Sequence, residues 1–403
     1  MRRSHHSTLL AGLSVLALAA CNVSGAGDTQ ASAGNASGMT PTDGAQQPTD
    51  DLTASDAMAS TDPAAGVQAQ QGDDQPRPVM QLQVALDRMN FSPGVIDGKM
   101  GMSTELALKG FQEANGLQQT GTFDPATKQA LTPRMNIAAT RVVTVPAAFV
   151  QGPFVPVPDS ADKQAEMEEL GYNNVMEKMG ERFHTTPDVL RQLNPQLGGG
   201  QPADPQATAT GDGQAAQPQA DVQLAGQQLR VPNIGNDRVN APPNAPEAHQ
   251  KWTQTLATLG VNAQQPKATK VVGDKSGKWL KVYGEGDKLI AQFQATMGSS
   301  RDPLPLGDWK IYGVAKNTKF SYDPALFWDV PDSKPKQMLP PGPNGPVGVV
   351  WIDLSKEHYG IHGTPAPETI GRAESHGCVR LTNWDAARLA QMVDTSTKVV
   401  FQA

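Results

Sequence analysis

The stretch Ser375-His376-Gly377-Cys378-Val379-Arg380-Leu381 decides the fold of the C-terminal part of this chain, and Ile361-His362-Gly363-Thr364 shortly precedes it. A cysteine is a strong nucleophile once its thiol is deprotonated, and a histidine within hydrogen-bond reach can take that proton. The two runs supply both kinds of group. Glycine at 377 lets the backbone approach a reacting carbonyl closely, so that amide N–H groups around Cys378 are available to stabilise an oxyanion.

The paired runs resemble the L,D-transpeptidases of the bacterial cell wall, the YkuD-type family, over roughly the last third of the chain. The resemblance implies that Cys378 is the nucleophile, that His362 is the general base, and that the carbonyl of Gly363 orients the histidine ring. It also implies that three further residues support the site, namely Ser375, His376 and Gly377.

Arg380 is where this chain departs from part of that family, because some members have asparagine two residues after the cysteine. This difference leaves the acceptor preference open, and it bears less on the type of reaction. Two interpretations of Arg380 remain. It forms a salt bridge at the surface or core edge, or it binds a substrate carboxylate through its two-pronged guanidinium group.

The C-terminal unit, 269–403, is predicted to be mostly β. Short alternating runs at 279–283, 289–293 and 309–312 indicate strands, with Gly and Pro between them. The resemblance implies a β-sandwich or barrel-like YkuD fold with short helices, in which 322–328 and 341–344 border the substrate cleft. A single amphipathic helix is predicted at 383–393, packed behind the site.

The chain has two cysteines, and the first, Cys21, ends a typical export signal. Arg2 and Arg3 precede an apolar stretch that is too short to span a membrane comfortably. The residues before Cys21 resemble a bacterial lipobox, which implies a lipoprotein signal peptide at 1–20 and lipidation of Cys21. Cys378 would then be unpaired in an oxidising compartment, where the alternative to a reactive thiol is a buried, inert one.

The residues that follow are predicted to form an acidic, disordered tether at 21–75. From 22 to 75 there is no lysine or arginine, and eight aspartates stand among small and polar residues. Such a segment buries too little apolar surface to fold. It carries most of the net charge of −7, and no part of the chain has the basic surface expected for nucleic-acid binding.

A three-helix unit is predicted at 76–134. One face of its first helix carries an apolar set at i, i+3, i+4 and i+7, namely Leu82, Ala85, Leu86 and Met89. Asp124-Pro125 indicates the start of the third helix. A generic helical bundle has the same apolar spacing, but the loop around Asp97-Gly98 is similar to that of the peptidoglycan-binding type 1 module.

A linker is predicted at 135–162, and a second small unit follows at 163–235 with a disordered insertion. Two helices and a closing strand at 228–232 are similar to a LysM-like glycan-binding module of α+β class, although a first strand is not evident. In this unit His184 is expected to be a solvated helix-end residue. Polar and proline-rich sequence predicts a further linker at 236–268.

Two other chemistries have to be considered. Zinc has imidazole and thiolate as ligands, and the chain offers His358, His362, His376 and Cys378. Because 360–361 is strand-like, His358 and His362 would not share a helical face as a metalloprotease pair does. We therefore expect no metal and no cofactor.

The resemblance implies an exported, multidomain enzyme that is lipid-anchored, faces the periplasm (more typically at the outer membrane) and is bound to the wall. Its partners would be peptidoglycan stem peptides and glycan strands, with a second stem peptide or a lipoprotein as acceptor and the membrane contacted through Cys21. Two alternatives remain: an L,D-carboxypeptidase on the same scaffold, and a non-enzymatic wall-binding lipoprotein.

Overall fold

The computed structural model describes residues 75–197, 224–235, 244–331 and 333–403, which lie within one compact unit, Ser60–Ala403. The predicted signal peptide, Cys21, nearly all of the acidic tether and the insertion after 197 lie outside the described residues. Within the described ranges, no helix combines the length and the apolar character needed to cross a bilayer.

The first module consists of α1 (Pro78–Arg88), α2 (Met102–Ala114) and α3 (Pro125–Leu131), as predicted. Proline occupies the first turn of α1 and α3, and the Asp124 side chain caps α3 by accepting from the Thr127 amide. The helices bury one shared core, made of Leu82, Leu86, Ala107, Leu108, Phe111 and Leu131.

The second module consists of two strands with three helices between them, the first of which is short. Its elements are β1 (Thr140–Thr144), the short α4 (Ala161–Ala165), α5 (Val175–Arg182), α6 (Pro187–Leu193) and β2 (Gln228–Pro232). Because β1 pairs with β2 in antiparallel register, 140–144 does not belong to a linker, which corrects the predicted linker at 135–162. The pairing was not evident because the partner strand lies far along the chain, beyond the insertion.

The second predicted linker, 236–268, also needs correction, because it contains α7 (Glu247–Leu259). Trp252, Leu256 and Leu259 lie on one face of this helix and are buried in the core of the C-terminal domain. Gly260 ends the helix in the left-handed region, at φ 66°. The polar face of α7 dominates its composition, so the sequence had the appearance of a linker.

The C-terminal domain is built on one mixed sheet. The strands of this domain are β3 (Lys270–Asp274), β4 (Trp279–Tyr283), β5 (Leu289–Gln294), β6 (Thr296–Met297), β7 (Gly307–Lys316), β8 (Phe320–Tyr322), β9 (Gln337–Leu339), β10 (Val350–Leu354), β11 (Gly360–His362), β12 (Val379–Arg380) and β13 (Lys398–Gln402). The sheet order is β5-β4-β3-β13-β7-β10-β11-β12-β6, and β8 and β9 form a separate hairpin. The predicted mostly β class is confirmed.

The predicted C-terminal helix is present as α8 (Asn383–Met392), capped by the Thr382 side chain. Its apolar residues, including Trp384, Leu389 and Met392, are fully buried in the domain core. Short 3₁₀ turns occur at Thr132–Arg134, Ala147–Val150, Pro195–Leu197, Glu285–Asp287, Pro324–Leu326 and Pro367–Thr369.

The first module covers the edge of the C-terminal sheet. The Ser92 amide donates to the Gln292 carbonyl on β5, and the Gln292 amide donates to the Asn90 carbonyl, both at 2.9 Å. The Gln292 side chain reaches the Leu106 carbonyl in α2, and Lys281 pairs with Glu113. An exposed edge strand is thereby paired instead of left open.

A buried cluster, which we call the junction network, joins the three modules: Asp87 of α1, His184 after α5, and Asp385 and Arg388 of α8. Arg388 donates to both carboxylates, with its shortest contact, 2.7 Å, to Asp87. His184 contacts Asp87 and the Leu259 carbonyl and stacks on Trp384. It is fully buried, so the expectation of a solvated His184 was wrong.

Candidate active site

The two sequence motifs meet on adjacent strands. β11 and β12 run parallel, and their register places His362 opposite Arg380 and Ile361 opposite Val379. Cys378 is the residue immediately before β12, so in this register it is level with Gly360 at the start of β11, two positions from His362. The loop between the strands, 363–378, therefore begins beside the predicted base and ends at the predicted nucleophile.

His362 is held in one tautomer. Its Nδ1 lies 2.7 Å from the Gly363 carbonyl, which can only accept, so Nδ1 carries the proton. The ring stacks on Trp351 with centroids 5.6 Å apart. Burial, followed by the positive charge of Arg380, lowers the pKa of His362 to about 3 against the opposing Gly363 bond. The ring is neutral at physiological pH, with an unprotonated Nε2.

Cys378 is half-buried, and the hydrogen bond that the structure gives its thiol goes to the His358 carbonyl, at 3.6 Å, and not to His362. Burial raises the pKa of Cys378, while the Gly360 amide and Arg380 act in the opposite direction. The resting pair is therefore a neutral thiol and a neutral imidazole. Proton transfer to His362 requires the thiol to leave its bond to the His358 carbonyl.

The loop before Cys378 is fixed by Ser375 and Gly377. The Ser375 hydroxyl donates to the Cys378 carbonyl and accepts from the Gly298 amide, both at 2.6 Å. Gly377 has a φ of +97°, and a Cβ there would lie 2.6 Å from the Tyr359 ring. Glycine is thus required at 377 both by its backbone conformation and by the close approach of Tyr359.

His376 does not face His362 but contacts the segment that follows β8. Its Nε2 lies 2.8 Å from an Asp329 carboxylate oxygen, and its ring contacts Phe327 and Trp328 with centroids 5.1 and 5.4 Å away. The structure therefore places His376 in contact with 327–329, and its supporting role stays a prediction. Its Nδ1 is buried and has no hydrogen-bond partner among the described residues.

Arg380 lies next to both predicted catalytic side chains. Its positive charge lowers the pKa of His362, in the same direction as burial. It also acts to lower the pKa of Cys378, which burial raises. Burial lowers the pKa of Arg380 itself, and the charges of Cys378 and Asp329 oppose that shift. The described part of the chain gives Arg380 no ion-pair partner within salt-bridge distance. Its side chain is only half-buried, so a substrate anion can approach it.

Sequence reasoning missed the side chain of Asn383, which is wedged behind Gly363. A Cβ on Gly363 would lie 2.2 Å from Asn383 Oδ1, and one on Gly348 would lie 1.9 Å from it. The Nδ2 of Asn383 donates to Glu181 of the second module at 2.8 Å. A polar residue between Leu381 and Trp384 was a usable signal for Asn383, whereas Glu181 resembled any solvated helix glutamate.

Glu181 is a buried carboxyl, 5% exposed, that also accepts from the Tyr172 hydroxyl at 2.9 Å. Burial raises its pKa to about 8, although the bonds from Asn383 and Tyr172 oppose that shift. Contacts thus run from Glu181 through Asn383 to Gly363, whose carbonyl fixes the His362 ring. Within the described ranges, no group of three or more His, Cys, Asp or Glu side chains is arranged to hold a metal ion.

The protonation states predict how Cys378 reacts with iodoacetamide. Because only the thiolate is alkylated and the pKa of Cys378 is raised, we expect the rate to increase about tenfold per pH unit and to reach no plateau below pH 9. The rate is measured by mass spectrometry of the intact protein from pH 5 to 10, with free cysteine as the reference. A plateau reached near pH 6 would instead indicate a resting thiolate–imidazolium pair.

Comparison with known proteins places two domains in this chain. Residues 268–401 match the family model described as YkuD, the L,D-transpeptidase catalytic domain. Residues 75–131 match the one described as "Putative peptidoglycan binding domain". The first match contains both predicted catalytic residues, and the second contains α1, α2 and α3.

Two Bacillus proteins named "Putative L,D-transpeptidase YkuD" are similar to the chain. The B. licheniformis protein is 27% identical over 224 residues, which are 56% of this chain and 91% of that protein. The B. subtilis protein is 53% identical over 57 residues, 14% of this chain and 35% of that protein.

Among solved structures, an L,D-transpeptidase from Mycobacterium smegmatis aligns with 24% identity and a TM-score of 0.28, over 34% of this chain and 59% of that chain. The two family matches do not cover residues 132–267. The chain therefore carries a catalytic domain of the YkuD L,D-transpeptidase family behind an N-terminal peptidoglycan-binding domain.

Proposed function

We propose that the protein is a peptidoglycan L,D-transpeptidase in which Cys378 is the nucleophile and His362 the general base. The observation that carries this proposal is the neutral His362 ring, fixed by the Gly363 carbonyl on the strand next to the one that Cys378 precedes. A fixed tautomer with an unprotonated Nε2 is the form in which a histidine accepts a thiol proton. The match of 268–401 to the catalytic domain of the family supports the same assignment.

In the proposed reaction, Cys378 Sγ attacks the carbonyl that joins the third residue of a stem tetrapeptide, at its L-centre, to the terminal D-alanine. The thiol proton passes to His362 Nε2 as the carbon–sulfur bond forms. The carbon–nitrogen bond then breaks, the same proton is transferred to the leaving D-alanine amine, and a thioester remains. An amine then attacks the thioester carbonyl and loses a proton to His362. The new carbon–nitrogen bond forms, the carbon–sulfur bond breaks, and His362 returns the proton to Sγ, which restores the thiol. No step needs a cofactor.

Arg380 is the proposed substrate-binding group. Its guanidinium is half-buried near Cys378 and lowers the pKa of that thiol, so it favours negative charge at the reacting centre. A guanidinium also binds a carboxylate through two parallel hydrogen bonds. We therefore assign to Arg380 the binding of a carboxylate of the stem peptide. Ser375 and Gly377 shape the loop that presents Cys378, and His376 connects this loop to 327–329.

The acceptor defines the product. The side-chain amine of a second stem peptide gives a 3-3 cross-link, a lysine of a lipoprotein gives attachment of protein to the wall, and water gives L,D-carboxypeptidase activity. The order β1, α5, α6, β2 in the second module supports its proposed LysM-like role in glycan binding. Lipidation of Cys21 and a periplasmic, outer-membrane location complete the proposal, and labelling with a radioactive fatty acid tests the anchor, since an unlabelled wild type contradicts it.

The function is tested with disaccharide-tetrapeptide and the chain from 75 onward, followed by mass spectrometry. Loss of D-alanine together with a covalent dimer is the expected result. Loss of D-alanine without dimer indicates hydrolysis. If D-alanine is retained while the protein still binds sacculi, the non-enzymatic wall-binding alternative is correct and the proposed reaction is wrong.

Glu181 is expected to be a positioning residue for His362. The change Glu181→Ala removes the closer of the two acceptors of Asn383 Nδ2, the other being the Pro343 carbonyl, and loosens the support behind Gly363. We therefore expect the kcat of acylation to fall roughly 10- to 100-fold with little change in KM. Glu181→Gln keeps an acceptor oxygen and resembles the protonated carboxyl, so it should retain most of the activity. Activity is measured as D-alanine release.

The matched control is Glu168→Ala, which removes an exposed carboxylate of the same module. It should leave kcat unchanged. Thermal unfolding of each variant separates positioning from stability. Equal loss of activity in Glu181→Gln and Glu181→Ala, or a loss that appears only in KM, would contradict the positioning role.

A further inference from the structure

A cavity of about 1250 Å³ lies where the three modules meet. The first module contributes the loop at 97–104, the second contributes the start of α6, and the catalytic domain contributes 365–372. That last segment belongs to the loop that joins His362 to Cys378. The cavity is therefore a composite cleft, and one of its walls is continuous with the predicted catalytic loop.

The wall of this cleft contains a polar side chain without a partner. Gln294 is 4% exposed and lies between Gly94 of the first module and Gly371 of the catalytic loop. Its Nε2 has no hydrogen-bond acceptor among the described residues. A buried donor left unpaired costs about 1–3 kcal/mol, so an acceptor oxygen that enters the cleft gains by meeting it. The amide groups of a ligand or its hydroxyls supply such oxygens.

The charges of the cleft favour a ligand that is polar but close to neutral overall. Its ionised residues nearly balance, with Asp97, Glu177, Asp188 and Glu368 against Lys99, Arg191 and Arg372. Burial keeps Glu181, the remaining carboxyl, protonated at neutral pH by raising its pKa to about 8. A polyanion would need a clear excess of positive charge. Proline and methionine side chains, including Pro365, Pro367 and Met100, add apolar surface for ring faces.

The size of the cleft favours a segment of a polymer. Sites for single small molecules have volumes of about 300–1000 Å³, and this cleft exceeds them. A chain of N-acetylated sugar rings is long and rich in hydroxyl and amide groups, and it combines a polar edge with apolar ring faces. The cleft offers donors, acceptors and apolar surface in that combination.

We propose that this composite cleft binds the glycan strand of peptidoglycan, with 97–104 and 365–372 forming opposite parts of one site. The inference rests on the proposed function, since it names the polymer whose stem peptide reaches Cys378. Its new content is that the catalytic domain itself contributes to glycan recognition, through the loop between base and nucleophile. A strand held there would present its stem peptides beside that loop.

The test uses peptide-free glycan strands and the chain from 75 onward with Cys378→Ala, and it measures the Kd by isothermal titration calorimetry. Lys99→Ala and Arg372→Ala each remove one charged donor from a different module, so each should raise the Kd by roughly tenfold. The matched control is Lys288→Ala with Lys398→Ala, two exposed lysines outside the cleft that should leave the Kd unchanged. Stem tetrapeptide alone should not compete with the strands.

A Kd that responds to Lys99→Ala but not to Arg372→Ala would overturn the composite site, because it would place binding on the first module alone. Strands that do not bind, or that are displaced by tetrapeptide, would overturn the glycan assignment. The wild-type enzyme with soluble tetrapeptide separates this inference from the proposed function. If the wild type releases D-alanine and neither Lys99→Ala nor Arg372→Ala weakens strand binding, only the proposed glycan site is wrong. If the wild type releases no D-alanine, the proposed reaction is wrong.

Discussion

Replacement of Cys378 by alanine is expected to abolish the release of D-alanine from disaccharide-tetrapeptide. The thiol is the only group in the proposed mechanism that forms a covalent bond to the substrate. Removal of a catalytic nucleophile costs on the order of 10⁶-fold in kcat in well-studied hydrolases. His362, Gly363 and Arg380 remain in place in this variant, so binding of the tetrapeptide should persist. The measurements are single-turnover D-alanine release and the mass of the intact protein, which should show an acyl adduct only in the wild type.

Cys378→Ser is the matched control, because its side chain has nearly the same shape and is a much weaker nucleophile. We expect a folded protein with a trace of acylation, since the neutral His362 is too weak a base to ionise a hydroxyl efficiently. Any release by Cys378→Ala at more than about a thousandth of the wild-type rate would exceed what positioning alone provides, and Cys378 would not be the nucleophile. His362→Ala should show a loss of similar kind in the same assay.

Substitution of Asp87 by alanine is expected to cause the largest loss of stability. Asp87 is 1% exposed and contacts both Arg388 and His184. Burial acts to raise the pKa of Asp87, but Arg388 and His184 hold it well below its usual range, so it is ionised at neutral pH. Removing Asp87 leaves the buried charge of Arg388 only partly compensated, by Asp385, and takes the partner of His184 Nδ1 away. Breaking a buried pair in this way costs about 3–5 kcal/mol. Urea-induced unfolding at pH 7 measures the change in free energy.

Two further variants test this interpretation. Asp188→Ala breaks an ion pair at the surface, which contributes about 0–1 kcal/mol, so it should leave the unfolding midpoint almost unchanged. Asp87→Leu combined with Arg388→Met removes both charges of the closest pair and should recover much of the loss. The remaining carboxyl, Asp385, has its pKa raised to about 7 by burial and can take up a proton, so it need not stay as an unpaired charge. If the double variant is less stable than Asp87→Ala, the uncompensated charge is not the cause.

The sequence was sufficient for the site motifs because they are local. Seven consecutive residues contain Cys378, Gly377 and Arg380, and a short run contains His362 with Gly363. The helices of the first module were also predictable, since apolar spacing and proline at the first turn are signals within a few residues. The structure adds that β11 and β12 are adjacent and parallel, which brings the two motifs together.

The rest depends on contacts between distant parts of the chain. β1 becomes a strand through β2, and α7 is a helix whose apolar face packs on a domain that begins after it. The roles of His184 and Asp87 follow from burial against Arg388, about 200 to 300 residues further along the chain. Composition over short windows cannot register such partners, so 135–162 and 236–268 resembled linkers and His184 resembled a solvated residue.

The pairing of Asn90 and Ser92 with β5 fixes the position of the first module relative to the C-terminal sheet. A binding module on a flexible linker would adopt many orientations and would only raise the local concentration of substrate. Here α1 and α2 are held against the sheet that contains β12, so a polymer bound by the first module would lie at a fixed distance from Cys378. If the proposed function is right, this scaffold would determine which stem peptides of a bound strand reach Cys378.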